Sequence, residues 1–263
     1  MDNGTVKTLN FRAADGNTVY IECHDSLAST AALARQYADS GYADRYAVFS
    51  SSKIITDTKR GRSRTEDGLY LSLILRPSLF PSQAIFLTHL SALSLALALD
   101  DHAEKRTGIA WIGSVFSGGK EIGNATVEGK LDSFGAYEYI IVSFSAKLPR
   151  DLFPPRLSDI VKKIFESDDS SLEMIVAKKA LNNFFPLYQS CKTPEKFIDA
   201  YRQKFIMRGV KITYTGKEGR RRRATVLGVD SSSGALLVEG PDHKLEKILS
   251  QKSITIPRTI RQK

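Results

Sequence analysis

The sequence predicts an α+β body, a mixed β-sheet packed with helices, followed by a small all-β module. Three observations carry this. Strand-like and helix-like segments interleave up to about residue 148. Helical patterns alone then run to about Arg208. From Gly209 the texture changes to short strands separated by Gly, Ser and Asp turns, as in a small barrel of about 50 residues.

The elements follow in order. GNTVYIEC (16–23) alternates like a strand. STAALARQYADSG (29–41) has a Ser/Thr start, an alanine-rich middle and a glycine end, the pattern of a capped helix. YAVFSSSKII (46–55) is a second strand, and GLYLSLILRP (68–77) a third that stops at Pro77. PSQAIFLTHLSALSLALALDD (81–101) opens on proline and keeps apolar residues at helical spacing, so it reads as a long buried helix. Residues 107–131 read as strand, glycine turn, strand, and YEYIIVSFSAKL (137–148) as a β-branched and aromatic strand. After a Pro-Pro break come three helical patterns, including SLEMIVAKKALNNFF (171–185) and TPEKFIDAYRQKFI (193–206). The expected division is a body at 1–207 and a β-barrel module at 208–263.

A chain of 263 residues accommodates a core of about 200 residues and a satellite. No apolar run reaches the roughly 18 residues of a membrane span, and the N-terminus lacks an apolar leader core. Cys23 and Cys191 give neither a disulfide framework nor metal spacing, so a cytoplasmic protein with two free thiols and no resident metal is expected. The histidines at 24, 89, 102 and 243 form no ligand or triad pattern and read as surface or capped residues. Net charge is +9, which suits a nucleotide, a nucleic acid or an acidic protein. The densest basic run, Arg220–Arg223, reads as part of a hairpin. Aromatic residues are sparse around it, so stacking platforms for bases are lacking and nucleic acid is not the expected partner.

One stretch asks directly for an anion. TKRGRSRTEDGLY (58–70) packs Lys59, Arg60, Arg62 and Arg64 around Gly61. Glycine lets backbone N–H groups approach phosphate, and arginine holds phosphate or carboxylate oxygens.

The order of motifs resembles the biotin–protein ligase family over about residues 16–250. The Ser-Thr-Asn helix of that family is matched by Ser29, Thr30, Ala34, Ala38 and Gly41, with Ala31 for the asparagine. Its G-R-G-R-x-G-R-x-W loop is matched by Arg60, Gly61 and Arg62, and by Arg64 with one residue deleted. Of K-W-P-N-D only Trp111 remains, in AWIGS (110–114). At the position of the lysine in K-x-x-G-I-L-V-E stands Glu121, with Lys120 beside it and Val127 and Glu128 matching further on. In place of G-I-G-I-N stands SFSAK, which puts Ser143, Ser145 and Lys147 at the two glycines and the asparagine.

The resemblance implies a biotin/lipoate ligase-type catalytic domain followed by an SH3-like barrel, of the type without an N-terminal DNA-binding domain. It implies biotin adenylation by ATP with Mg²⁺ on the triphosphate, then transfer to a lysine of a biotin carboxyl carrier domain. In that scheme Arg62 and Lys120 are catalytic. Ser29, Thr30, Arg60, Gly61, Arg64, Trp111 and Lys147 bind substrate or nucleotide, and Lys120 or Lys147 stands in for the missing lysine. Because the altered positions are the polar and glycine ones, a second reading stays open: a silent relative that binds biotin, another short acid or a carrier protein. A homodimer is compatible with either, and a basic nucleic-acid binder is the third reading.

Overall fold

The computed structural model describes residues 6–57, 61–79, 81, 84–149, 151–154, 171–191, 193–216, 219–250 and 254–255. Strands β1 (Lys7–Arg12), β2 (Thr18–Leu27), β3 (Tyr46–Asp57) and β4 (Arg62–Leu75) build one half of the main sheet. Strands β5 (Thr107–Ala110), β6 (Ser114–Ser117), β7 (Lys120–Leu131) and β8 (Tyr137–Ala146) build the other. The sheet order is β1-β2-β3-β4-β8-β7-β6-β5. Among the described strands of this sheet only β2 and β3 pair in parallel, and helix α1 (Thr30–Asp39) makes that crossover.

Alternation along the central strands separates two faces. On β4, Leu69, Leu71, Leu73 and Leu75 are buried on the face covered by helices α2 (Ala84–Asp100), α3 (Leu172–Gln189) and α4 (Glu195–Lys204). The other face carries α1, whose Ala34 and Ala38 pack on Val48, Ile74 and Ile141. Helix α2 is apolar all round because the sheet and the other helices surround it. Its buried Ser91 and Ser94 hydroxyls donate to the Leu87 and Leu90 carbonyls at 2.6 Å, so neither is left unpaired.

The C-terminal sheet contains β9 (Lys211–Thr215), β10 (Arg221–Val229), β11 (Leu236–Glu239), β12 (Leu245–Ile248) and β13 (Ile254–Thr255). Its order is β12-β11-β10-β9-β13, all antiparallel. One face, with Ile212, Tyr214, Ala224, Val226 and Val238, joins the same apolar cluster as the body. The fold is the α+β body plus small C-terminal β-module expected from the sequence.

Three local expectations need correction. Strand β1 had no clear signal, because a six-residue edge strand with mixed exposure shows little patterning. Residues 107–131 hold three strands, since Trp111–Gly113 form a turn between β5 and β6. The stretch from Arg62 to Asp67 is strand, not loop: it pairs with Ser52–Asp57 and extends the β3–β4 hairpin. The first of the three expected helical patterns, before residue 171, lies outside the described residues.

Candidate functional site

Two cross-strand rungs on the α1 face of the sheet are polar. One aligns Tyr70, Ser145, Asn124 and Ser114, and the next aligns Ser72, Ser143 and Thr126. Hydroxyl groups are costly to bury alone, so these pair with each other. Thr30 Oγ1 and Ser72 Oγ lie 2.9 Å apart, as do Ser72 Oγ and Ser143 Oγ. Asn124 Nδ2 donates to Ser114 Oγ at 3.1 Å. The chain linking α1, β4 and β8 fixes the floor of a cleft.

That cleft has two adjoining parts. The inner part, about 140 Å³, lies between the start of α1 (Ser29, Thr30, Ala31), Lys53 and the rung residues. The outer part, about 220 Å³, reaches Glu121 and Lys147, and the two share Tyr70, Asn124 and Ser145. Ser29 is the N-cap of α1, and its Oγ accepts the Ala32 N–H at 3.1 Å. The helix therefore presents its positive end to the inner part, close to Lys53.

The charges balance locally. Lys53 and Lys147 lie on the cleft, together with Glu121. Lys147 is already ion-paired with Glu66, whose backbone position faces Lys53 across the β3–β4 ladder. The Lys147 partner holds the Glu66 carboxyl below its ordinary range, with Arg64 and Lys53 adding to the effect. Burial, and secondarily the charges of Glu66 and Asp67, raise the Tyr70 phenol, so it stays protonated as a donor.

Several residues implied by the resemblance fall into this cleft: Ser29, Thr30 and Lys147 line it. Others do not. Trp111 is fully buried elsewhere, where its Nε1–H donates to the Gly234 carbonyl at 3.1 Å and its backbone N–H points to the Met207 sulfur. It joins the body to the C-terminal sheet and does not wall the cleft. Lys120 is the first residue of β7, paired with Ser117 across the Gly118–Gly119 turn, and is exposed outside the lining. Both turn glycines have positive φ, which a two-residue hairpin of this hand requires. A bulge does exist here, but it lies opposite Val115 and Phe116, beyond Glu121, too late to bring Lys120 inward. Glu121 is the residue that reaches the cleft.

Arg62 and Arg64 are exposed on the hairpin arm of β4, outside the cleft lining, and Gly61 is exposed at its turn. Arg60 lies outside the described residues. Glu128 binds Arg35 at 2.6 Å and ties β7 to α1. Sequence reading missed Lys53, Tyr70, Ser72 and Thr126. The signal was the polar run SSSK inside an otherwise apolar strand, and single polar residues at alternate positions of β4 and β7.

Elsewhere, of the surface or capped histidines expected, His89 is not at the surface. It is completely buried, with Nδ1 2.6 Å from the Ile85 carbonyl, and its ring packs against Tyr201. Among the described residues no three His, Cys, Asp or Glu side chains stand together as a metal site. No described helix is long and apolar enough to cross a membrane.

The sequence matches no protein-family model and no curated protein. Solved structures do match. Biotin protein ligase from Aquifex aeolicus, in complex with biotin and ATP, aligns with a TM-score of 0.64 at 18% identity, over 91% of this chain and 99% of that one. A biotin protein ligase-like protein of unknown function from Silicibacter sp. TM1040 aligns at 0.63 and 16% identity, over 88% and 94%. Biotin acetyl coenzyme A carboxylase synthetase from Helicobacter pylori, with bound biotinylated ATP, aligns at 0.52 and 14%, over 86% and 98%. The chain has a biotin protein ligase-like fold, body and C-terminal sheet together.

Proposed function

We propose that this chain binds a small organic acid in the cleft below α1 and does not complete ATP-dependent adenylation. One observation carries the reading. The charged side chain that reaches the cleft at the position of the family lysine is Glu121, and Lys147 is held by Glu66. A carboxylate there opposes the charge that builds on an α-phosphate, and Lys147, one of the two lysines on the cleft, is already paired with Glu66. What remains suits an uncharged or singly anionic ligand: hydroxyls from Ser29, Thr30, Ser143 and Ser145, the Asn124 amide, Lys53 and a helix N-terminus. Biotin, whose complexes define several neighbours of this fold, is the first ligand to test. The division into a ligand-binding body, 1–207, and an SH3-like module, 208–263, belongs to the same proposal.

A second reading is ligation, favoured by the fold shared with the Aquifex aeolicus ligase and by Lys147 at the cleft. Under it ATP, with Mg²⁺ as its counter-ion, and a biotin carboxyl carrier domain are co-substrates. Two measurements separate the readings. Calorimetric titration with biotin and lipoate tests binding. Release of AMP and pyrophosphate, with a carrier domain and a working ligase as control, tests turnover. Binding without turnover supports the first reading. Turnover that is lost on Lys147→Ala establishes the second, and no binding of either acid removes both ligands from consideration.

A further inference from the structure

The run Arg220–Arg223, which the cleft does not use, acquires a definite surface once the β9–β10 pairing is known. Cross-strand partners point to the same face of a sheet. Arg221 pairs with Thr215, Arg223 with Thr213, and Thr225 with Lys211. These six residues form one contiguous face of the C-terminal sheet. The opposite face, with Ile212, Tyr214, Ala224 and Val226, is buried in the core. Because that inner face is fixed by burial, the register cannot slip and the basic residues are held outward.

The composition of the outward face is specific. Lys211, Arg221 and Arg223 are exposed, and among the described residues none of their side chains has an ion-pair or hydrogen-bond partner. Arg222 alternates to the other side, where it reaches Glu246 at 3.5 Å. Between the cations stand only threonines. The first acidic residue across the ladder is Glu239, opposite Thr225, and it accepts from His243 at 3.0 Å. There is no aromatic or large aliphatic side chain among the six, so the face offers no anchor for a protein interface core. It also offers no ring for stacking single-stranded bases. Cations interleaved with hydroxyls are instead what phosphate oxygens take, from arginine and lysine for charge and threonine for hydrogen bonds. From Arg221 to Thr225 the face extends about 13 Å at about 3.3 Å per residue, enough for two or three successive phosphates of one strand.

We infer that the β9–β10 face is a docking surface for the phosphate backbone of a double-stranded nucleic acid, bound without reading its sequence. The sparse aromatic residues that speak against base stacking leave this mode intact, because duplex bases are stacked on each other. Charge neutralisation here by three side chains sets the salt response. A slope near −0.9 per phosphate predicts that affinity falls about 40-fold between 50 and 200 mM salt.

The test is fluorescence anisotropy with labelled 20-base-pair duplex DNA, duplex RNA and the single strand of the same sequence, across that salt range. Binding to either duplex with this salt response is expected, and the tighter duplex identifies the source. The triple variant Lys211→Ser/Arg221→Ser/Arg223→Ser should abolish most of the salt dependence. Lys179→Ser/Lys196→Ser, which removes cations from the helices, should leave it in place. Arg223→Lys should retain binding, which guards against a variant that simply misfolds. The inference is overturned by tighter binding of the single strand, by undiminished duplex binding in the triple variant, or by no binding at 50 mM salt. Equal binding of poly-glutamate at matched ionic strength would also overturn it, since the surface would then be a generic cation patch.

Discussion

Trp111→Phe separates the junction role of this tryptophan from a role in ligand binding. The substitution keeps an aromatic ring but removes the indole N–H that donates to the Gly234 carbonyl at 3.1 Å. Both partners are dry: Trp111 is 0% exposed and Gly234 sits against Ile85, Phe86 and His89 of α2. Leaving a buried carbonyl without its donor costs about 1–2 kcal/mol. The smaller ring opens a void of about 35 Å³, which at about 24 cal/mol per Å³ adds about 1 kcal/mol. The expected loss is therefore about 2–3 kcal/mol. For a chain of this length one kcal/mol corresponds to about 2 °C, so scanning calorimetry should show Tm lower by about 4–6 °C. Hydrogen exchange should rise at residues 230–238, which the indole ties to the body, while affinity for an acid in the cleft stays within about twofold. A tenfold loss of ligand affinity with Tm and exchange unchanged would refute the placement of Trp111 at the junction.

Three further outcomes are expected. Burial holds the His89 imidazole at about 4, well below its ordinary 6.5, so it is neutral in the fold and protonates more readily when unfolded. Its contribution is complete above pH 6.5 and is lost as pH falls towards 4, up to about 3 kcal/mol. Subtracting the Tm–pH profile of His89→Gln from that of the parent should reveal this slope, and parallel profiles would exclude it. Gly234→Ala should lower the denaturant midpoint by the equivalent of about 2–3 kcal/mol. Its φ of +67° disfavours a side chain, and the new Cβ would meet His89 Cε1 at 3.0 Å. A midpoint equal to that of the parent would show that the turn can relax away from α2. Glu121→Lys should strengthen binding of an anionic ligand in the cleft about five- to tenfold, because this residue is exposed and its Coulomb energy is heavily screened. Titration calorimetry at low salt measures it, and unaltered affinity would mean that Glu121 does not sense the ligand.

The strand and helix types were legible because periodicity reports local burial. The alternation of LYLSLIL and the all-round apolarity of 84–100 each left a clear mark. Ser29 was legible as a cap, since a serine before an alanine-rich run has an elementary reason to be there. The hairpin arm at Arg62–Asp67 was not, because its glycine and charged residues resemble a loop and its strand character comes from pairing with β3. The fate of Lys120 hung on the position of one bulge, which sequence spacing does not locate. Trp111 kept its residue type while serving a contact 123 positions away, and no local pattern encodes that distance. Lys53, Tyr70, Ser72 and Thr126 meet only when four strands and a helix are in register.

The contact between Trp111 and Gly234 also sets a timetable for a growing polypeptide. The two residues are separated by 123 positions, and the later one closes over a surface of α2 made long before. At about 5–20 residues per second, synthesis leaves Phe86, His89 and Trp111 waiting roughly 6–30 seconds for their cover. During that interval the nascent body carries an apolar opening around Phe86 and Trp111, a natural landing place for a chaperone. Ribosome-stalled chains ending before Gly234 should be captured there, and chains that have released the β10–β11 turn should not.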